Sequence, residues 1–298
     1  MIAPLIPPSF DYAAPKTLAE AIDLLKGGGG EAKVIAGGQS LVPLLKLRLA
    51  SPKLLVDINR IPGLDYIGES EGFLRLGALT RMAEVASSDL LRNRYPIIHD
   101  ASRVIADPLV RNLGTVGGNI SHGDPANDLP AVMLALNAEF EAIGPSGRRT
   151  IRAQDFFLDS FTVALHHDEL LTEVKVPVPP PRSRGSYQKL EQKVADFATA
   201  AVAVQLSLNH RGECESLGIG LTAVGPTAIR ARDAEEALKG KKPTDRGAVE
   251  MVAVLAAQAS DPASDMRGTV EYKKKAVERL VGRALKIAYQ RSRSRGAR

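Results

Sequence analysis

The sequence predicts an α+β protein in three units, and three observations carry the prediction. Residues 1–60 alternate a capped helix with short apolar strands. Residues 61–178 separate into hairpins and helices. Past Pro177-Val-Pro-Pro-Pro181, which places four prolines in five residues, three strands and then three helices follow over residues 179–289. A run of strands followed by a run of helices is the grammar of an α+β layer. The proline run makes an extended, semi-rigid connector. Residues 290–298, rich in Ser and Arg, are expected as a disordered basic tail.

In the first unit, Thr17-Leu-Ala-Glu20 is a capping box, in which hydroxyl and carboxylate each satisfy a free amide of the first turn. The helix is expected to reach about Lys26, where Gly27 to Gly30 end it. Lys33 to Ala36 reads as a short buried strand, Leu41 to Leu49 as a helix and Leu54 to Ile58 as a second strand. In the second unit, Asp65 to Gly68 and Phe73 to Gly77 form a hairpin around Glu71-Gly72. Helices follow at Arg81 to Ser87, at a turn capped by Ser88-Asp89 and at Pro96 to Ala106. Asp107-Pro108 stops the last of these, because the residue before proline avoids the α region. Pro125 to Leu136 reads as a helix, Glu139 to Ile143 with Arg149 to Ile151 as a hairpin, and Leu170 to Val176 as a strand. In the third unit, Ser186 to Lys193, Thr199 to Asn209 and Glu215 to Val224 form three antiparallel strands. Helices are expected at Ala231 to Lys239, Thr244 to Gln258 and Thr269 to Tyr289. The last carries a one-sided apolar stripe that includes Val277, Leu280, Val281, Ala284 and Leu285.

Composition excludes several functions. A single cysteine, Cys214, rules out a Cys-ligated zinc site, a Cys-ligated iron–sulfur cluster and an intrachain disulfide. If the chain works with a cluster, a partner carries it. Aromatics make up 4% with no Trp, so there is no stacking platform for nucleic-acid bases. The net charge is +5, and setting aside Arg291, Arg293, Arg295 and Arg298 leaves about +1, a nearly neutral body. The proline-broken N-terminus lacks the basic start of a signal peptide. No apolar run approaches the ~18 residues of a spanning helix. No transmembrane segment, no nucleic-acid partner and a cytoplasmic location are therefore expected.

Two glycine stretches carry the chemistry. Val34-Ile-Ala-Gly37-Gly38-Gln39-Ser40 ends an apolar strand, and Thr115-Val116-Gly117-Gly118-Asn119 lies about eighty residues later. Backbone amides can approach a pyrophosphate only where no Cβ intervenes, hence glycine. Either stretch alone reads more readily as a tight turn; the pair points to one ligand with two phosphates. No G-x-G-x-x-G opens a helix after a strand and no G-K-[ST] occurs, so neither a Rossmann domain nor a P-loop is supported. Asp128, nine residues after Asn119, reads from spacing either as a sugar-hydroxyl acceptor or as an ordinary first-turn helix acid. The five histidines show no metal-ligand spacing beyond the adjacent His166 and His167, and no nucleophile–base pair can be argued. No catalytic and no metal-ligating residue is assigned: the pattern is that of a cofactor holder.

Ala36-Gly-Gly-Gln-Ser40-Leu41, followed by Leu45-Lys-Leu-Arg-Leu49 and Leu55-Val-Asp-Ile58, resembles the FAD-binding medium subunit of molybdenum hydroxylases, the family of aerobic carbon monoxide dehydrogenase and xanthine dehydrogenase. Thr115 to Asn119 with Pro125 and Asp128-Leu-Pro130 resembles the family's second flavin loop. Ser264-Asp-Met-Arg267, Tyr272 and Arg283-Ala-Leu285 are similar to its last helix. The resemblance spans nearly the whole chain. It implies an FAD-binding fold of the vanillyl-alcohol oxidase (PCMH) type, with two α/β subdomains, 1–60 and 61–178, clasping FAD. A C-terminal domain with a three-stranded antiparallel sheet and helices would follow. It implies that Ala36, Gly37, Gly38, Gln39, Ser40 and Leu41, with Thr115, Val116, Gly117, Gly118 and Asn119, hold FAD. Asp128 would bind a flavin-side hydroxyl, Leu170 (or Leu171) would flank the flavin, and Lys189 and Ile105 would lie near it. Neither glycine stretch contains His or Cys, so FAD is expected to be noncovalent. The family further implies a large subunit with the molybdenum cofactor and a small [2Fe–2S] subunit, assembled as a dimer of heterotrimers. The chain would pass electrons from the clusters to an external acceptor. The alternative is a standalone FAD-dependent reductase or oxidase of the same fold, such as the enolpyruvyl-UDP-sugar reductase.

Overall fold

The structure is a computed structural model and describes residues 6–293. The first unit contains β1 (Asp11–Ala13), α1 (Leu18–Gly28), β2 (Ala32–Ile35), α2 (Leu41–Lys46) and β3 (Leu54–Asp57). Its strands form a parallel sheet in the order β1-β3-β2. The Thr17 hydroxyl accepts from the Glu20 amide at 3.2 Å, as a capping box requires. The Glu20 carboxylate reaches one residue further back than expected, to the Lys16 amide at 2.8 Å. Helix α2 stops at Lys46, three residues short of expectation, because Arg48 adopts a φ of +57°. Strand β1 was not expected; three residues beside a proline pair carry no period to read.

The second unit begins with β4 (Ile67–Ser70), β5 (Phe73–Gly77), α3 (Met82–Ser87), α4 (Asp89–Arg94) and α5 (Pro96–Val104). It continues through α6 (Pro108–Leu113), α7 (Val116–Ser121), α8 (Asp128–Ala135), β6 (Glu139–Gly144) and β7 (Gly147–Arg152). It closes with β8 (Phe157–Asp159), β9 (Thr162–Val163) and β10 (Leu170–Pro177). The main sheet runs β4-β5-β10-β6-β7 and is antiparallel throughout. This unit is therefore α+β, not the second α/β subdomain expected: the late strand β10 inserts between two hairpins instead of extending a parallel row. One face of the sheet, with Leu74, Leu76, Phe140, Ala142, Val174 and Val176, is buried in the main core. The other carries Arg75, Glu141, Glu173 and Lys175, with Lys175 to Glu141 at 2.6 Å. That is the period-2 division of a sheet covered on one side.

The third unit holds β11 (Ser183–Glu191), β12 (Ala198–Leu208), β13 (Cys214–Thr222), β14 (Ile229–Arg230), α9 (Arg232–Leu238), α10 (Arg246–Ala259) and α11 (Val270–Arg293). Its antiparallel sheet has four strands, β11-β12-β13-β14, not three. The fourth is two residues long, paired through Gly220–Arg230 and Leu221–Ile229, and too short to announce itself in sequence. One face packs on α11, the other on α8 of the second unit. That second contact is close: a Cβ on Gly218 or Gly220 would lie 2.0 and 1.9 Å from the carbonyl oxygens of Ala135 and Ala131. The expected disordered tail does not begin at residue 290. Helix α11 runs to Arg293, and Arg291 forks onto Asp100 at 2.6 and 3.0 Å. This ion pair to α5 carries the helix past Tyr289; the rest of the expected tail lies outside the described residues. Among the described residues no helix is long and apolar enough to cross a membrane.

Candidate functional site

The first glycine stretch leaves the C-terminal end of β2 and enters α2. The N–H groups of Gly37, Gly38, Gln39 and Ser40 have no partner among the described residues. Gly38 has a φ of +72°, which favours glycine. Gly37 abuts the second unit: a Cβ there would lie 2.2 Å from the Leu113 carbonyl oxygen and 2.8 Å from Gly114 Cα. The Gln39 amide folds back to donate to the Gly37 carbonyl at 3.1 Å. Four successive free amides in a half-buried turn are a donor set suited to an anion.

The second stretch is built differently. Sequence reading expected an open loop offering amides; the structure forms helix α7. Thr115 caps it, its hydroxyl accepting from the Gly118 amide at 3.1 Å. The Gly117 amide donates to the Ala78 carbonyl at 2.8 Å, and the Asn119 amide to the Thr115 carbonyl at 3.0 Å. The Val116 amide donates to Thr80, at 3.0 Å. A Thr N-cap and the adjacent end of β5 thus consume the donors that the motif promised. What the stretch keeps is the Asn119 side-chain amide, whose buried Oδ1 has no hydrogen-bond partner.

Tertiary structure brings the two stretches together. Leu113 and Gly114 lie against Gly37, and the Gly114 carbonyl accepts from the Met82 amide at 2.9 Å. Asp128 is the first residue of α8 and is buried. Its carboxylate accepts from the Tyr187 hydroxyl at 2.5 Å and from Lys189 Nζ at 3.2 Å. Lys189 Nζ also donates to the Val104 carbonyl at 3.0 Å, at the end of α5. Burial pushes the Asp128 carboxyl up to about 6, against the opposing pull of Lys189 and Tyr187. Burial and the facing carboxylate raise the Tyr187 phenol well above its ordinary value. Each carboxylate oxygen can accept more than one bond, so a ligand hydroxyl has acceptor capacity left.

Of the other sequence candidates, Ile105 is buried and follows α5, its carbonyl accepting from Arg111 at 3.0 Å. Leu41 opens α2, half-buried. Leu170 opens β10 and is buried in the small core of the first unit, packed with Ile58, Ile61 and Leu79. Leu171, its one-residue alternative, belongs to the main core. Sequence reading missed Tyr187, Asn59 and Arg81. Tyr187 was within reach: at two residues from Lys189 on one strand, it shares its face. Asn59 and Arg81 gave no such signal. Among the described residues no cluster of His, Cys, Asp and Glu could hold a metal ion.

Free amides, a glycine cradle and an orphaned buried acceptor across the seam together fit an elongated, pyrophosphate-bearing ligand. A family model described as FAD binding domain in molybdopterin dehydrogenase matches residues 8–179. A second, described as CO dehydrogenase flavoprotein C-terminal domain, matches residues 185–288. The chain is 42% identical over 287 residues to the carbon monoxide dehydrogenase medium chain of Hydrogenophaga pseudoflava, covering 96% of this chain and 99% of that one. It is 37% identical over 282 residues to the glyceraldehyde dehydrogenase medium chain of Sulfolobus acidocaldarius, covering 95% and 99%. Among solved structures, carbon monoxide dehydrogenase from Hydrogenophaga pseudoflava superposes with a TM-score of 0.93 at 44% identity, over 96% of this chain and 99% of that chain. Quinoline 2-oxidoreductase from Pseudomonas putida 86 gives 0.89 at 31% identity over the same shares.

Proposed function

The chain belongs to the family of FAD-binding medium subunits of molybdenum hydroxylases, and on that premise we propose that it is the flavoprotein subunit of such a complex. The observation that carries the reading is the set of four unpartnered amides from Gly37 to Ser40, with an unpartnered buried acceptor, Asn119 Oδ1, in the second stretch. FAD, when bound, supplies a store for two electrons between one-electron donors and an external acceptor. Gly37, Gly38, Gln39 and Ser40 would hold the pyrophosphate, with Leu41 beside them. Asn119 would accept from the ligand, and Thr115 to Gly118 would form the opposite wall. Asp128 would take a flavin-side hydroxyl while Tyr187 and Lys189 hold its carboxylate in place. Leu170 and Ile105 would supply apolar flanks. No residue of this chain need act as a general acid or base.

Electrons would arrive from [2Fe–2S] clusters on a small partner and ultimately from a large subunit carrying the molybdenum cofactor, in a dimer of heterotrimers in the cytoplasm. The fold would be of the vanillyl-alcohol oxidase (PCMH) type, with domains over 1–60, 61–178 and 179–289. The test is purification of the chain co-expressed with its genomic neighbours. A visible flavin spectrum, FAD released by acid, and large and small subunits co-purifying are expected. A folded chain that neither retains nor rebinds FAD overturns the reading.

A further inference from the structure

We propose that Arg81 and Asn59 are positioning residues that set the spacing of the two glycine stretches for FAD; the inference rests on the FAD-binding reading above. The chain of contacts is continuous. Asn59 Nδ2 donates to the Ala36 carbonyl at 2.8 Å, immediately before the first stretch. Asn59 Oδ1 accepts from one arm of the Arg81 guanidinium at 2.8 Å. The other arm of Arg81 donates to the Leu113 carbonyl, two residues before Thr115. That carbonyl is the one against which Gly37 is pressed. One arginine fork therefore joins the first unit to the second at the point where one ligand has to touch both.

The link is oriented from behind. Asp57 Oδ1 accepts from both the backbone and the side-chain amide of Asn59, at 2.9 and 2.7 Å. With Nδ2 directed to Ala36 and Asp57, only Oδ1 remains for Arg81, so the amide has one consistent orientation. Tyr12 donates to the second Asp57 oxygen at 2.5 Å. Arg81 itself is fixed by its backbone: it bridges to Thr115, and the next amide, Met82, bonds to Gly114. Asn59 is exposed and Arg81 half-buried, so their hydrogen bonds add little to global stability. The seam is held by apolar packing of Leu79 and Leu170 with the first unit. What the polar chain controls is registry. Lysine cannot replace arginine here, because a point charge cannot serve two acceptors in a fixed fork.

The test uses the full-length chain, stripped of flavin, with FAD titrated by fluorescence and each apo-protein melted thermally. Arg81→Met and Asn59→Ala are each expected to weaken FAD about tenfold, with apo melting temperatures within about 2 °C of wild type. The double variant should be no weaker than the worse single variant, because both cut one chain of contacts. Arg81→Lys, which keeps the charge and is milder on folding, should lose affinity like Arg81→Met. Unchanged FAD affinity in the folded variants, or single effects that simply multiply, overturns the proposal. So does an Arg81→Lys variant that binds like wild type. A wild-type chain that folds but does not bind FAD overturns the FAD reading itself, and this inference with it.

Discussion

The two glycine stretches share a pattern, a small or apolar residue, Gly-Gly and then an amide side chain, yet they present opposite surfaces. At Gly37 to Ser40 the strand simply ends, Gly38 turns with positive φ, and four amides are left without partners. At Thr115 to Asn119 the pattern starts a helix, and the Thr115 hydroxyl, Ala78, Thr80 and Thr115 carbonyls take the amides. The first offers four backbone donors; the second has its backbone amides committed and offers the Asn119 side chain, whose buried Oδ1 has no partner. A ligand held between them would meet free backbone amides on one side and a committed backbone on the other. Glycine in a motif reports room for a close approach, and the neighbours decide whether a ligand or the protein's own backbone makes it.

The contrast can be attacked experimentally, and the largest effect is expected at Gly37. Gly37→Ala places a Cβ 2.2 Å from the Leu113 carbonyl oxygen and forces the units apart. Overpacking of this kind costs about 1–3 kcal/mol, and FAD affinity should fall on the order of a hundredfold at its upper end. Fluorescence titration measures this; a variant binding like wild type would break the free-amide account.

Asp128 tests whether burial extends the internally committed side of the site. Its carboxyl is raised to about 6, above the ordinary aspartate value near 3.9 expected for the unfolded chain. Between these values the folded state holds a proton that the unfolded chain has lost. Its contribution to stability is therefore greatest below about pH 4 and is lost as pH rises through 6. In urea unfolding, wild-type stability minus that of Asp128→Asn should drop by about 2 kcal/mol from pH 4 to pH 7. A difference that is flat with pH contradicts the burial argument.

Thr115→Ala removes the N-cap of α7 and should cost about 1 kcal/mol in stability, read as a lower urea midpoint at unchanged slope. FAD affinity per folded molecule should change less than for Gly37→Ala. The smallest stability effect belongs to Asn119→Ala, which deletes an acceptor that no protein group uses. Stability should stay within about 0.5 kcal/mol while FAD affinity falls about fivefold, the worth of one hydrogen bond. The reverse outcome, lower stability with intact FAD binding, would make Asn119 a structural residue.

Much of this organisation was readable from residues. The Thr17 N-cap, the strand before Gly37 and the hairpin at Phe73 to Gly77 all rest on short-range chemistry, and all are present. The third unit's long strands carried the same kind of signal. Elements of two or three residues, β1 and β14, were not readable, because they exist only through the strands they join. Asp128 was identified as a residue, but not its partners. Tyr187 and Lys189 reach it from 59 and 61 residues away, across two units. The brace from Asn59 to Arg81 and Leu113 escaped for the same reason.

By itself the sequence determined the local grammar: where helices are capped, where strands alternate, where glycine allows close approach, and, through the resemblance its motif residues carry, the family. Those properties depend on neighbours within a few residues, so they survive being read in one dimension. Tertiary structure alone decided that β10 inserts into an antiparallel sheet and that α8 covers the sheet of the third unit. It also decided which amides remain free for a ligand. A backbone donor is available only when no carbonyl lies within reach of it, and what lies within reach is a property of the folded chain.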